Sequence, residues 1–238
     1  MRSAWYSLRP GGWRDYVTLL HPPYTAWHVS YVAIGAALAP RWRPERMGWT
    51  LLAFGLALGI GAHALDELRG RPLATRIPDR VLWALAALSI GGAVAIGVVT
   101  AHRWTSWLYP AVAVGGFLVV AYNLELFGGR FHGDLWFALG WGAFPLLTAY
   151  LACAERLDAS ALVAAVFAGL LSHAQRRLST PVRELRRRTL AVSGEQRLAG
   201  GASRELTMES LAAPLDGALR ALSVAMPLLA AGLVALRL

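Results

Sequence analysis

Long apolar blocks alternate along this chain with short polar joints rich in helix breakers. The blocks fall at about 24–40, 49–66, 81–100, 107–125, 133–153, 159–173 and 217–236. A helix needs roughly 20 mostly apolar residues to cross the hydrocarbon core of a bilayer, and a spanning backbone must satisfy its own hydrogen bonds. Blocks of this length therefore predict membrane helices. Breakers separate them: Pro40 and Pro44 after the first, Arg71-Pro72 and Ile77-Pro78 after the second, Gly128-Gly129 between the fourth and fifth. The pattern predicts an all-α polytopic transmembrane bundle of about seven spans. Its parts are an interfacial segment over 1–23, the bundle over 24–173, a basic cytoplasmic loop or amphipathic segment over 174–216, and a last transmembrane helix over 217–238. In the first segment Arg2, Arg9 and Arg14 alternate with Trp5, Tyr6, Trp13 and Tyr16 and there is no apolar core, so it reads as an aromatic anchor and not as a cleavable signal.

Composition agrees. Of 238 residues 56% are hydrophobic and 16% charged, and mean hydropathy is +0.46. Soluble domains average about 25% charged. The net charge of +9 comes from 23 arginines and no lysine. In a membrane chain such charge is explained by cytoplasmic loops and anionic headgroups, so no nucleic-acid partner is expected. With the N-terminus and the even joints on one side, that side holds 17 arginines against 6. Basic loops stay in the cytoplasm, which puts the N-terminus inside and predicts a multi-pass protein of the inner (plasma) membrane. Cys153 is the only cysteine, so there is neither an internal disulfide nor a cysteine metal cluster.

Under this topology five of six histidines, His21, His28, His63, His132 and His173, fall at the cytoplasmic face. His63, Asp66 and Glu67 lie three and four residues apart, on one helix face, where imidazole and carboxylate could share a cation. A second polar hairpin runs through Tyr122-Asn123-Leu124-Glu125 and Gly128-Gly129-Arg130-Phe131-His132-Gly133-Asp134. Its bland reading is a glycine turn with a solvated rim. His173 is followed by Arg176, Arg177, Arg183 and Arg186 to Arg188, whose planar forks suit phosphate oxygens but equally suit an amphipathic segment on anionic lipid.

Several of these pieces, in order over about residues 15 to 180, resemble the UbiA superfamily of intramembrane prenyltransferases. They are His21-Pro22-Pro23, Ala62-His63-Ala64-Leu65-Asp66 with Arg71-Pro72-Leu73 behind it, Tyr122 to Glu125, Trp141-Gly142-Ala143-Phe144-Pro145 and His173 to Arg177. Members of that family hold Mg²⁺ on a prenyl diphosphate with two Asp-rich motifs. Here the first motif keeps one Asp and gains His63 and Glu67, and the second has none.

The resemblance implies a metal-dependent membrane enzyme acting on an isoprenoid or other lipid-soluble substrate. Asp66, Glu67 and Glu125 are then the catalytic candidates, and Arg71, Arg76, Tyr122, Asn123, Arg130 and Arg177 the substrate-binding ones. The metal candidates are His63, Asp66, Glu67, Glu125, His132, Asp134 and His173. The ion is Mg²⁺ for prenyl transfer, or Fe, Zn or Mn if the imidazoles ligate, as in a non-haem iron oxidase or hydroxylase. The third alternative is a non-catalytic lipid-binding or partner subunit. The expected partners are membrane lipids, the lipid-soluble substrate and, in that third reading, a second copy in a homo-oligomer.

Overall fold

In the computed structural model, which describes residues 4–238, the predicted blocks are helices. They are α1 (Trp13–Leu19), α2 (Pro22–Leu38), α3 (Pro44–Leu68), α4 (Asp79–Arg103), α5 (Leu108–Asn123), α6 (Asp134–Ala154), α7 (Ala159–Arg187) and α8 (Met208–Ala235). A small antiparallel hairpin, β1 (Glu195–Arg197) and β2 (Ser203–Glu205), pairs Gln196 with Arg204 between α7 and α8. Among the described residues α3, α4, α6 and α8 are long and apolar enough to cross a membrane, and α5 is apolar but shorter. Their outward faces expose large apolar side chains such as Leu88, Val98 and Leu228, which suit lipid and not water.

Two boundaries differ from the apolar pattern. α7 does not stop near 173 but runs on to Arg187, because Gln, Arg, Leu and Glu are good helix formers even where they are polar. α8 starts at Met208 and not near 217. Thr207 and Ser210 form a reciprocal capping box there, with Ser210 N–H on Thr207 Oγ1 at 3.0 Å and Thr207 N–H on Ser210 Oγ at 2.9 Å.

α2 is the central helix and packs against α3, α6, α7 and α8. Trp27, Tyr31, Val32 and Ala36 have no exposed surface, so the helix lacks the single apolar stripe of a surface helix. Glycines let the backbones touch, as membrane helices require. A Cβ on Gly35 would lie 2.2 Å from the Leu146 carbonyl oxygen of α6, and one on Gly142 of α6 would lie 2.5 Å from that of Ala168 in α7.

α3 and α6 each contain a π-helical segment, Gly55–Ala62 and Ala138–Ala143. Such segments concentrate at functional sites because they displace backbone carbonyls and side chains from the regular ladder. In α6 the segment ends beside Pro145, which has no N–H to give the Trp141 carbonyl four residues back. That carbonyl instead accepts from His28 Nδ1 at 2.8 Å.

Candidate functional site

At the end of the bundle where α2 begins and α3 ends, His21 and His63 stack, with ring centroids 4.3 Å apart and planes 19° from parallel. The Tyr6 hydroxyl meets His21 Nδ1 at 2.6 Å, and the Tyr6 ring stands edge-on to Tyr24. One turn further along α3, Asp66 is within electrostatic reach of Arg183 and Arg187 on α7 and of His132. Ring contacts, a hydrogen bond and electrostatic coupling gather the half-buried Tyr6, His21, His63, Asp66, His132 and Arg187 into one polar cluster, termed the chamber.

Three imidazoles in and below this chamber are oriented by backbone carbonyls. His63 Nδ1 donates to Gly59 O (3.1 Å), His28 Nδ1 to Trp141 O (2.8 Å) and His132 Nδ1 to Tyr122 O (3.0 Å). A carbonyl only accepts, so Nδ1 carries the proton and Nε2 holds the lone pair of the neutral ring. The acceptor nitrogens are therefore set by the fold.

An aromatic layer adjoins the chamber through His132. Tyr122 lies 4.5 Å from the His132 ring and 4.3 Å from the Trp141 ring, and Phe137 stacks on Trp141 at 5.6 Å. Arg176 fixes the layer: it pairs with Asp134 at 2.6 Å, donates to the Tyr122 hydroxyl, and places its guanidinium 5.6 Å from the Phe137 ring. Beyond the layer an apolar cleft with a volume of about 100 Å³, open on one side, lies between α3, α4, α5 and α6. Small residues such as Ala57, Ala93 and Gly116 give it room, and Trp49 and Thr100 stand at its far end. Trp141 belongs to both features, forming a wall of the cleft and part of the layer.

The predicted site residues divide sharply. Asp66, His63, His132 and Tyr122 converge on the chamber. Glu67 does not: it has no exposed surface, and its carboxylate accepts from Leu73 N (3.0 Å), Thr75 N (2.9 Å) and Thr75 Oγ1 (2.8 Å). It orders the joint after α3. Arg71 serves the same joint, donating to Ile77 O at 2.6 Å and pairing with Asp79. Arg76 gives its backbone N–H to Asp15 of α1 (2.9 Å) and leaves its side chain exposed. Glu125 pairs with Arg69 at 2.7 Å on the surface, Asn123 is buried and caps Val119 O at 2.6 Å, and Arg130 and Arg177 are exposed. His173 is half-buried and near Asp134, which Arg176 already holds.

Among the described residues no three His, Cys, Asp or Glu side chains stand together to hold a metal ion. The chemistry of the donors explains this. Glu67, Glu125 and Asp134 are engaged by protein donors, which leaves Asp66 as the one carboxylate at the chamber. Among the described residues no second carboxylate stands beside Asp66 to complete an oxygen-liganded Mg²⁺ site.

Burial pushes the Tyr6 phenol up, and it pushes the His21 imidazole well below its usual value of 6.5, with His63, Arg187 and Arg183 adding to the effect. His21 precedes α2 in a left-handed conformation (φ 45°) that costs a non-glycine residue about 1–3 kcal/mol. The chamber holds it neutral. Because the unfolded chain binds this proton below about pH 6.5 and the folded chain does not, the stability is present above that pH and is lost as pH falls. The unfolding free energy of the wild type should drop between pH 7 and pH 5 by up to about 1.4 kcal/mol per pH unit from this group, and His21→Phe should flatten the slope. An equal slope in the variant would remove His21 as its cause.

Sequence reasoning reads Tyr6 as an interface anchor and Arg176, Arg183 and Arg187 as phosphate- or lipid-facing arginines, and it does not bring them to one site with His21 and Asp66. The three arginines are seven and four residues apart, one stripe of a helix, a signal that appears only once 174–187 is read as a continuation of α7. Compared with known proteins, the chain matches no family model, no curated protein and no solved structure.

Proposed function

We propose that this chain is a seven-span protein of the inner (plasma) membrane, with its N-terminus in the cytoplasm, that binds an isoprenoid or other lipid-soluble amphiphile. The polar head occupies the chamber and the apolar chain the cleft. The observation that carries this reading is the junction at Tyr122 and Trp141, where a polar, arginine-flanked cluster reaches through the Tyr122 ring to Trp141 in the wall of the apolar cleft. An amphiphile needs both environments in sequence, because burying its charge in the cleft or its chain in the chamber would be unfavourable. The excess of arginine in the joints on the N-terminal side supports the orientation. Arg183 and Arg187 favour an anionic head such as a phosphate or diphosphate, and the resemblance to UbiA prenyltransferases supplies the isoprenoid class.

The chain's own residues bind and position. Asp66, which no hydrogen bond or ion pair engages among the described residues, is the group best placed to act on the head. A second reading, a lipid-binding subunit without catalysis, is favoured by the engagement of Glu67, Glu125 and Asp134 in the fold. Both versions require binding. Purified protein in detergent with a chelator should bind farnesyl diphosphate and farnesol. Ala93→Phe, which fills the cleft, should weaken both by about tenfold or more, and Arg183→Gln should weaken only the diphosphate. Affinities untouched by either variant would refute the site.

A further inference from the structure

A second pocket lies outside this site, between the end of α7 and the start of α8, with a volume of about 460 Å³. Successive residues of α7 serve the two spaces. Arg183 and Arg187 are within electrostatic reach of Asp66 and Tyr6, whereas Arg186 lines the second pocket. The partition is the N-terminal segment: Tyr6 turns to His21, while the neighbouring Trp5 ring lies 5.1 Å below the guanidinium of Arg220, which also lines the second pocket.

Three features of this pocket point to a ligand of defined chemistry. Arg220 is exposed and has no carboxylate partner among the described residues. Asp216, nine-tenths buried, pairs through Oδ2 with Arg186, but its Oδ1 has no hydrogen-bond partner among the described residues. An acceptor left in that condition is costly, and a donor from a ligand would relieve it. Apolar surface completes the site. Leu185 and Met208 line the pocket, and from Gly217 the outward face of α8 continues through Val224 and Leu228, both exposed.

We propose that this pocket is a binding site for the headgroup of a phospholipid whose head carries both a phosphate and a hydrogen-bond donor, an ammonium or a hydroxyl. Arg220 holds the phosphate, with its guanidinium kept in place by the Trp5 ring. The donor reaches Asp216 Oδ1, and the acyl chains lie along Val224 and Leu228. The lipid packs the joint between α7 and α8 from outside, independently of any ligand in the chamber. Phosphatidylethanolamine and phosphatidylglycerol meet this requirement. Phosphatidylcholine does not, because its quaternary ammonium has no N–H to give.

The test uses the full chain, delipidated in detergent, with short-chain forms of these three lipids and inorganic phosphate as probes, reading the thermal midpoint and the bound lipid by native mass spectrometry. Phosphatidylethanolamine and phosphatidylglycerol should bind saturably and raise the midpoint, and phosphatidylcholine should bind roughly tenfold more weakly. Arg220→Gln should weaken the binding of all three lipids, because each carries the phosphate. So should Gly217→Leu, which fills the pocket without touching its polar groups, since a Cβ at Gly217 meets nothing within 4 Å. Equal binding of all three lipids, or binding unchanged in both variants, would overturn the proposal. Protection by inorganic phosphate alone, lost in Arg220→Gln, would keep the phosphate contact but overturn a lipid as its source.

Discussion

Glu67→Ala is expected to lower the unfolding midpoint by about 10 °C, the loss of roughly 3–5 kcal/mol in a chain of this size. The carboxylate is fully buried and receives three hydrogen bonds from Leu73 and Thr75. Alanine leaves two backbone N–H groups without acceptors in a dry joint, and each such group costs about 1–3 kcal/mol. Glu67→Gln keeps one acceptor oxygen and should lose about half as much. Differential scanning fluorimetry of the two variants checks this. A metal-ligating Glu67 predicts the opposite pattern, with little change in the stability of the metal-free protein.

Gly142→Ala is expected to destabilise by about 3 kcal/mol, at the upper end for overpacking, and to abolish ligand binding as well. The new Cβ would lie 2.5 Å from Ala168 O and 2.7 Å from Ser172 Oγ, and a backbone carbonyl cannot swing aside. α6 must withdraw from α7. Trp141, adjacent in sequence, moves with it, so the His28 bond to its carbonyl and the wall of the cleft are lost together. The control lies two residues away. A Cβ on Gly140 meets only Leu118 Cδ1, at 3.8 Å, so Gly140→Ala should be neutral or stabilising by about 0.5–1 kcal/mol through the helix preference of alanine. Opposite signs at two glycines of one helix, read as thermal midpoints, would be hard to obtain from a loosely packed bundle.

The fold was largely legible. Apolar blocks mark α2 to α8, of which α3, α4, α6 and α8 are long and apolar enough for a bilayer, and Pro22, Pro44 and Pro78 mark where α2, α3 and α4 begin. The site was legible only in part, and the reason is geometric. Spacing places His63, Asp66 and Glu67 on one side of α3, but neighbouring residues on a helix point about 100° apart. Which of them meets another helix and which meets a joint depends on contacts far along the chain. Asp66 turns toward α7 and Glu67 toward residues 73–75. In the same way Arg71, read under the resemblance as a diphosphate clamp, ties its joint to the start of α4. The π-helical segments left no mark in the hydrophobic pattern, yet they place the carbonyls that orient His63 and His28. The cleft arises from alanines and glycines of four separate helices, and no local window contains it.

The most direct test of a head in the chamber and a chain in the cleft is photolabelling with a farnesyl diphosphate analogue whose reactive group sits at the tail terminus, followed by peptide mapping. Label concentrated on cleft residues such as Trp49, Ala53 and Val112, and reduced by Ala93→Phe, is the predicted result. Label spread over the outward faces of α4 and α8, at positions such as Leu88, Val98 and Leu228, and indifferent to Ala93→Phe, would contradict it.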